Sequence, residues 1–502
     1  MKKFKLLPVL LVVALSLSLV ACGSYSNDAY YGFYHKNGTI ADDAAWEAEA
    51  LWQEGETYLE IAESQFVKTA ENNESYFSMD SNTEAYSNVR RMIRNNQSIY
   101  PNAVRTDEFL NYFSYSIPEP VDTFASRAEI SVSPWNPETY LLTIGVKTKQ
   151  TTIERYSQGN NLVFLIDVSG SMYGEDRIEL VKKSFNMLID SLNDKDTVSI
   201  VTYASGVNTV CSGVKANEKT KLKRYVNDLM ANGATNGGDG IQRAYKIAEN
   251  NFIKGGNNRI ILATDGDFNV GISSPDELME FIQNKAESGV YLTCLGYGMY
   301  NYRNDMLFTL AKHGNGNYAY IDTLSEAKKV LIDDADNALC VVASDVKSGI
   351  TFDADIVDEY RIIGYENKII TKEEFNDERT DAGELGSNTT SMICYELKLK
   401  QIPTDKNVAR LEIKYKDPFT KESAEYYDDL SGSFKADPSD TSEDFKFAAA
   451  IVEFSMILRN SSYKANSSLE HVAKVLSQLE CCTTDEYKAE FKELVAMFSE
   501  RG

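Results

Sequence analysis

The sequence predicts an α/β protein: a doubly wound, mostly parallel sheet flanked by a β-rich, sandwich-like region and by C-terminal helices. From about residue 159 to 340, short apolar runs alternate with longer amphipathic ones, as in repeated strand–helix units. Several of the short runs are apolar at nearly every position, which is expected when helices cover both faces of a sheet. Alternating strand patterns flank this region, and helical patterns follow from about residue 439.

The first 21 residues are typical of an export signal. Three lysines precede an apolar run, Leu6 to Val20, that is too short to remain in a membrane as a spanning helix. The run ends in Leu-Val-Ala-Cys, which resembles a bacterial lipobox and implies cleavage before Cys22 and a lipid on its thiol. The alternative is an ordinary secretory signal with a chance cysteine. We therefore expect an extracytoplasmic protein, lipid-anchored to the cell membrane through Cys22.

Residues 22–85 are rich in Tyr, Ser, Asn, Asp and Glu, which predicts a polar tether with a helix between Asp42 and Lys68. Residues 86–158 contain two short helical stretches and then a β-hairpin from Ala128 to Lys149. We expect this helical and β segment to be associated with the α/β region that follows it.

The α/β region, residues 159–340, is predicted from its periodicity. Its first helix places five apolar side chains on one face at helical spacing: Ile178, Val181, Phe185, Leu188 and Leu192. The strand-like runs at 162–166 and 260–263 are almost wholly apolar, which indicates burial on both faces. The last helix of the region is expected from about Ser325 to Ala338.

Residues 341–438 show strand patterns without helical periodicity. We expect these strands to pair with those of residues 128–149, so that the α/β region is inserted into a β-sandwich. Residues 439–502 are expected to form three helices, whose starts match capping patterns at Thr441, Ser467 and Thr483.

The 502 residues include 51 basic and 75 acidic side chains, a net charge of −24 at pH 7. Removal of residues 1–21 would take three lysines and leave a net charge near −27. A surface this acidic repels nucleic acid, so we expect no nucleic-acid partner. An acidic, well-solvated surface is also ordinary for an exported protein.

Six cysteines besides Cys22 show neither a CxxC motif nor zinc-type spacing. Cys211 and Cys294 lie in apolar runs and are expected to pack as small hydrophobic residues. The adjacent Cys481 and Cys482 are a weak redox signal, and a structural role is the simpler interpretation. The three histidines are far apart in sequence, which argues against a zinc site built from them.

Polar oxygens cluster where the first strand of the α/β region ends. Asp167 follows that strand, and Ser169 and Ser171 follow at spacings of two, which can place all three on one side of an extended loop. Ligands bind at the carboxyl ends of strands in open α/β sheets. A carboxylate and two hydroxyls are hard oxygen ligands, suited to Mg²⁺ or Mn²⁺.

Two further loops at the same predicted edge offer oxygens. Asp265 follows the strand that ends in Leu-Ala-Thr, and Thr235 lies in the sequence Gly-Ala-Thr-Asn-Gly before a helix. Taken singly, Asp167 could be an anion at a helix N-terminus and the hydroxyls could cap helices or loops. Jointly, their order and spacing favour a metal site.

DVSGSM at 167–172, the threonine in GATNGG and the first aspartate in ATDGD resemble the von Willebrand factor A (VWA) domain and its metal-ion-dependent adhesion site (MIDAS). The resemblance implies one divalent cation, most simply Mg²⁺ with Mn²⁺ or Ca²⁺ as alternatives. Its ligands are implied to be Asp167, Ser169, Ser171, Thr235 and Asp265, which all match the pattern. It also implies an open coordination position that an Asp or Glu carboxylate of a protein partner can fill.

Further segments resemble the bacterial YfbK-like family of VWA proteins, over about residues 86–500. The matching segments are SNVRRMI at 87–93, PWNP at 134–137, ATDGDFNVG at 263–271, GNGNYAYID at 314–322, DVKSGITF at 345–352, YRIIGYEN at 360–367 and FKFAAAIVEFSMILR at 445–459. The resemblance implies an exported or envelope-associated protein, with no particular partner.

Other residues at these loops have weaker interpretations. Asp267 is expected to lie in the loop or behind the ligands, and Asp239 in the first turn of a helix. Tyr173, Phe268 and Tyr297 would either rim the site or pack in the core and loops.

An enzyme is not expected, and no residue is assigned as catalytic. The sequence has no GxSxG, HExxH or phosphate-loop motif, and no general base accompanies the two carboxylates. The favoured hypothesis is a lipid-anchored envelope protein whose cation site mediates protein–protein interaction or adhesion. The alternatives are an envelope scaffold with a structural metal and, less favoured, a solute-binding lipoprotein, since a loop edge is not a closed cleft between two lobes.

Overall fold

A computed structural model of the chain describes residues 58, 60–151, 158–234, 237–266, 275–298, 304–334, 340–403, 406–418, 420–431 and 433–501. The expected signal segment, Cys22 and most of the expected tether lie outside the described residues. No helix within the described ranges is long and apolar enough to cross a membrane.

The N-terminal described part holds two short strands, two helices and a hairpin. They are β1 (Val67–Lys68), β2 (Glu74–Ser78), α1 (Glu84–Arg94), α2 (Thr106–Asn111), β3 (Phe124–Ser133) and β4 (Asn136–Thr148). Both short strands lie in sheets, although the sequence places them in a polar tether and expects a helix up to Lys68. The composition hides β2 because Phe77 is its one buried side chain.

The α/β unit follows. Its elements are β5 (Asn160–Asp167), α3 (Ile178–Ser191), β6 (Thr197–Tyr203), β7 (Val207–Lys215), α4 (Lys219–Asn227), α5 (Gly237–Asn250), β8 (Asn257–Thr264), α6 (Pro275–Glu287), β9 (Val290–Tyr297), α7 (Asn304–His313), β10 (Tyr318–Ile321) and α8 (Leu324–Lys328). The strand order is β10-β9-β8-β5-β6-β7, parallel except for β7, which is antiparallel to β6.

Helices cover both faces of this sheet. Residues of α3, α4 and α8 share one buried apolar cluster with the strands, and residues of α5, α6 and α7 share another. The doubly wound α/β prediction is therefore confirmed. The last helix differs from expectation: α8 continues as a π-helical segment, Lys329–Asp333, and residues 335–339 lie outside the described part.

The chain then forms a β-sandwich. Its elements are β11 (Val341–Phe352), β12 (Val357–Ile363), α9 (Lys372–Asn376), β13 (Gly383–Gly386), β14 (Thr390–Leu399), β15 (Ala409–Lys416), β16 (Ser423–Leu430) and β17 (Ser433–Lys435). One sheet has the order β1-β12-β14-β4-β3-β17, and the other is β13-β11-β15-β16 with β2 also paired to β11. Strands before and after the α/β unit thus share a sheet, as in the pairing of Ile144 with Ile393.

Four C-terminal helices complete the described chain: α10 (Glu443–Leu458), α11 (Leu469–Gln478), α12 (Cys481–Thr484) and α13 (Glu486–Ser499). The sequence indicated three helices and placed each cap one or two residues too early. The side chains that accept backbone N–H groups at the helix starts are Ser442, Ser468 and Asp485. With α1 and α2, these helices form a layer whose core includes side chains of β4 and β14.

A buried arginine joins this helical layer to the α/β unit. Arg90 of α1 lies 2.5 Å from Asp322, 2.6 Å from Glu326 and 3.0 Å from Glu490 of α13. Asp322 follows β10 and Glu326 lies in α8, so both belong to the α/β unit. The guanidinium of Arg90 also donates to the hydroxyl of Tyr112, which in turn donates to Glu326. This cluster, which we call the Arg90 joint, links three separate parts of the chain.

Replacement of Arg90 by Met should destabilise the protein strongly. The substitution would leave three carboxylates without their shared cation, and breaking a buried ion pair on one side costs about 3–5 kcal/mol. Urea unfolding followed by circular dichroism would measure the loss. The matched control is Arg94→Met, since Arg94 also pairs with Glu490 but its side chain is 38% exposed. That change should cost about 0–1 kcal/mol, and equal losses for the two variants would contradict the argument.

Candidate metal centre

Asp167 lies at the carboxyl end of β5, the strand between β8 and β6 in the middle of the α/β sheet. Its side chain and that of Ser169 are buried, and Ser171 is half-buried. An apolar strand with both faces covered carries the aspartate to the sheet edge, where the chain leaves the core. This is the position in which open α/β sheets bind ligands.

The loop after β5 brings three oxygen-bearing side chains together. Asp167 Oδ1 accepts a hydrogen bond from the backbone N–H of Ser169 at 2.8 Å. The hydroxyl oxygens of Ser169 and Ser171 lie 2.9 Å apart, and a 3₁₀ turn over Gly170–Met172 holds this spacing. The alternation predicted from the sequence thus places all three groups in one small region.

A second carboxylate comes from the neighbouring strand. Asp265 follows β8 directly and is buried. The residue before it, Thr264, donates its hydroxyl to Asp167 Oδ2 at 3.2 Å and accepts the N–H of Gly266 at 3.3 Å. One threonine therefore links the two carboxylate-bearing loops.

The loop before α5 runs beside the first one. Asn232 N–H donates to the carbonyl of Val168 at 2.7 Å, and Gly170 N–H donates to the carbonyl of Gly233 at 2.9 Å. Gly233 has φ +93°, and a Cβ there would lie 2.6 Å from Ser205 Oγ, so glycine is required for this close approach. Thr235, two residues further on, lies outside the described residues, so its role as a ligand stays a prediction.

Burial raises the pKa of Asp167 to about 6. Hydrogen bonds from Ser169 and Thr264 oppose that shift, and the negative charge of Asp265 adds to it. Repulsion from Asp265 therefore adds to the cost of burying Asp167 in its charged form, and a bound cation would relieve both effects.

The described residues fit a hard divalent cation. Among them, no three of His, Cys, Asp and Glu are grouped as metal ligands, so thiophilic or imidazole-type coordination finds no support there. What Asp167, Ser169, Ser171 and Asp265 offer is two carboxylates and two hydroxyls, the oxygen donors that suit Mg²⁺, Mn²⁺ or Ca²⁺.

Three supporting residues escaped the sequence analysis. Thr264 could have been noticed as a polar residue that ends an apolar strand next to Asp265. Tyr203, the last residue of β6, is buried with its hydroxyl beside Asp167 and Thr264. Arg177 donates to the carbonyl of Ser171 at 2.6 Å. Tyr203 depends on a contact with a different strand, for which the sequence carries no local signal, and Arg177 reaches back to a backbone carbonyl six residues earlier.

The structure describes three of the five other residues that the sequence placed at this edge. Asp239 is exposed in the first turn of α5, where an acid is favourable. Tyr173 is exposed beside the loop, whereas Tyr297 is buried and belongs to the core, not to the rim. Asp267 and Phe268 lie outside the described residues.

Family models match three parts of the chain. They are the von Willebrand factor type A domain over residues 161–333, the C-terminal region of the uncharacterized protein YfbK over 337–500, and a family described as von Willebrand factor over 52–143. With the fold and the loop geometry, these matches define a VWA-domain protein. Domains of this class serve protein–protein interaction or adhesion and are generally not enzymes.

A relative is similar over nearly the whole length. The chain is 37% identical over 468 residues to the uncharacterized protein YfbK of Escherichia coli (strain K12), covering 88% of this chain and 80% of that protein. The chain belongs to the YfbK family, as its sequence motifs predicted.

More distant similarities are confined to part of the chain or to the fold. Inter-alpha-trypsin inhibitor heavy chain H3 of Homo sapiens is 28% identical over 174 residues, which is 32% of this chain and 19% of that protein. A solved von Willebrand factor type A structure from Catenulispora acidiphila aligns over 73% of this chain and 88% of its own, at 17% identity and a TM-score of 0.39.

The raised pKa of Asp167 predicts a specific pH dependence in metal-free protein. An unfolded chain releases this proton near pH 3.8 and the folded chain near 6, so the folded state binds more protons between these values. Stability from this group therefore falls as pH rises through that window, by about 3 kcal/mol in total. In EDTA, Asp167→Asn should exceed wild type in stability at pH 7.5 by up to this amount, and the difference should vanish near pH 4.

Urea unfolding of both proteins at a series of pH values would measure this difference directly. Asp194→Asn, which changes an exposed aspartate of the same unit, serves as the control and should show no such trend. A difference between wild type and Asp167→Asn that stayed constant from pH 4 to 7.5 would contradict the buried-carboxylate account.

Proposed function

We propose that the protein is a lipid-anchored component of the cell envelope that binds protein partners through a divalent cation held at the α/β sheet edge. The observation that carries this proposal is the convergence of Asp167, Ser169, Ser171 and Asp265 from two neighbouring strand ends. Thr235 is proposed as the fifth ligand, by its position in the motif. Mg²⁺ is proposed as the cation, and Mn²⁺ or Ca²⁺ would satisfy the same oxygen donors.

The arrangement supports binding rather than catalysis. The donors lie where the chain reaches the surface, next to the exposed residues Gly170 and Gly233. A cation held there would add positive charge to an acidic edge, and a carboxylate from a partner could complete its coordination. In this proposal the residues of this chain bind the cation and orient it toward the partner.

Cation binding should depend on Asp167 and on the threonine behind it. Isothermal titration of the metal-stripped full chain in detergent with Mg²⁺ should show one site. Asp167→Ala should weaken it by more than about 100-fold, and Thr264→Val by about 10–100-fold, because Thr264 orients the carboxylate without being a ligand. Asp194→Asn should leave the affinity unchanged. Equal affinity in wild type and Asp167→Ala would refute the site.

The scaffold alternative makes a different prediction for the same proteins. If the metal is structural, EDTA should lower the thermal midpoint of wild type strongly, while partner capture persists in Asp167→Ala at temperatures where that variant is folded. If the metal is the binding site, capture should be lost in EDTA and in Asp167→Ala at temperatures where the protein is folded, whatever the shift in the midpoint. The Arg90 joint favours neither outcome, since it lies apart from the metal ligands.

The lipid anchor should depend on Cys22. Expressed in a bacterium with a lipoprotein pathway, wild type should incorporate labelled palmitate and partition into the detergent phase of Triton X-114. Cys22→Ser should do neither, since the thiol is the proposed acceptor of the lipid. Palmitate labelling that survived this change would show that another residue carries the lipid.

A further inference from the structure

Two large apolar side chains project into solvent beside the proposed metal site. Tyr173 and Met230 are each 80% exposed, and among the described residues one large apolar side chain, Val121 at 86%, is more exposed. Folded proteins leave single apolar side chains in water as a matter of course. Here two of the three most exposed ones lie at the same edge of the sheet, which calls for a reason beyond chance.

The backbone fixes both side chains in this position. Tyr173 N–H donates to the carbonyl of Gly170 at 3.2 Å, and Gly170 N–H donates to the carbonyl of Gly233, three residues after Met230. The chain neighbours that precede them, Met172 and Leu229, are buried in the same apolar cluster. Because each neighbour is anchored inward, Tyr173 and Met230 face outward from two loops that are hydrogen-bonded to each other.

The charged groups around them are mainly acidic. Glu175 has 85% of its side chain exposed, with Lys183 of α3 approaching it at 3.4 Å, and Asp239 is exposed at the start of α5. Arg177 is not presented outward, because its guanidinium donates to the carbonyl of Ser171 and packs against Gly298. A partner that brings several carboxylates would be repelled by this rim, whereas basic side chains would be attracted.

We propose that Tyr173 and Met230 form the walls of a docking surface for an exposed loop of a folded protein. That loop offers one carboxylate to the metal site, and apolar and basic side chains flank the carboxylate. The inference rests on the proposed cation-dependent function and specifies its partner. A rigid aromatic ring and a flexible thioether are well suited to hold apolar side chains of a loop without demanding one shape.

The test uses a library of phage-displayed, disulfide-cyclised heptapeptides, which present short constrained loops. The library is selected on the full-length chain in detergent with Mg²⁺, and bound phage are eluted with EDTA. The eluted pool should be enriched in peptides that carry one Asp or Glu next to an apolar residue and a Lys or Arg. Enrichment of Asp or Glu without apolar neighbours would overturn the docking surface.

Variants then locate the contact for a selected, synthesised peptide. The double variant Tyr173→Ser/Met230→Ser should bind it about 10–100-fold more weakly while its Mg²⁺ affinity stays at the wild-type value. Val121→Ser removes an equally exposed apolar side chain from the segment between α2 and β3 and should change neither value. Unchanged peptide affinity in the double variant would overturn the inference while leaving the metal site intact.

Elution with EDTA separates the cation site from the docking surface. If EDTA elutes no peptides from wild type, cation-dependent binding itself is refuted, and the docking surface with it. If EDTA elutes peptides equally from wild type and the double variant, the cation site binds partners, but Tyr173 and Met230 do not determine which peptides bind.

Discussion

The architecture depends on one buried arginine side chain. Arg90 lies between the polar ends of three chain segments and holds the α/β unit to the helical layer through Asp322, Glu326 and Glu490. The rings of Tyr86 and Tyr112 lie within about 5.5 Å of the guanidinium carbon and add cation–π stabilisation. Separation of the two layers would leave Arg90 and its three carboxylates without their partners. The joint therefore fixes the orientation of the unit, because Asp322 follows an edge strand of its sheet.

The same sheet edge shows the opposite electrostatic arrangement three strands away. At β10 the carboxylates receive a cation from the chain itself. At β5, Asp167 is held by a backbone N–H and by the hydroxyl of Thr264, and the charge of Asp265 opposes its ionisation. Burial raises the pKa of a carboxyl group at both positions, Glu326 and Asp167, but Glu326 is paired with the arginine that lies beside it. An external cation at the second position would favour the charged form of Asp167 in the same way.

Features that depend on residues close together in the chain could be predicted from the sequence. The continuous apolar run of β5 and the periodic face of α3 each report burial directly, and the Asp-x-Ser-x-Ser spacing reports three oxygens on one loop. Residues whose role comes from distant contacts could not be found in this way. Strand β2 is mostly polar because only one of its side chains is buried, Tyr203 pairs with Asp167 on the adjacent strand, and Arg90 contacts Glu490 four hundred positions later. Capping patterns were displaced by one or two residues because each observed cap, Ser442, Ser468 or Asp485, has a Ser or Thr one or two residues before it that fits the same pattern.

The insertion of the α/β unit between β4 and β11 also sets an order of folding. All six strands of that unit are synthesised before β14, whose Ile393 pairs with Ile144 of β4 about 250 residues earlier in the chain. Until β14 arrives, one hydrogen-bonding edge of β4 stays open, and open strand edges are templates for misassociation. The unit between them pairs only its own strands, including the central pair β5 and β8, and so can form before β14 is made. Closure of the sandwich around the insert therefore has to wait until β14 has been made.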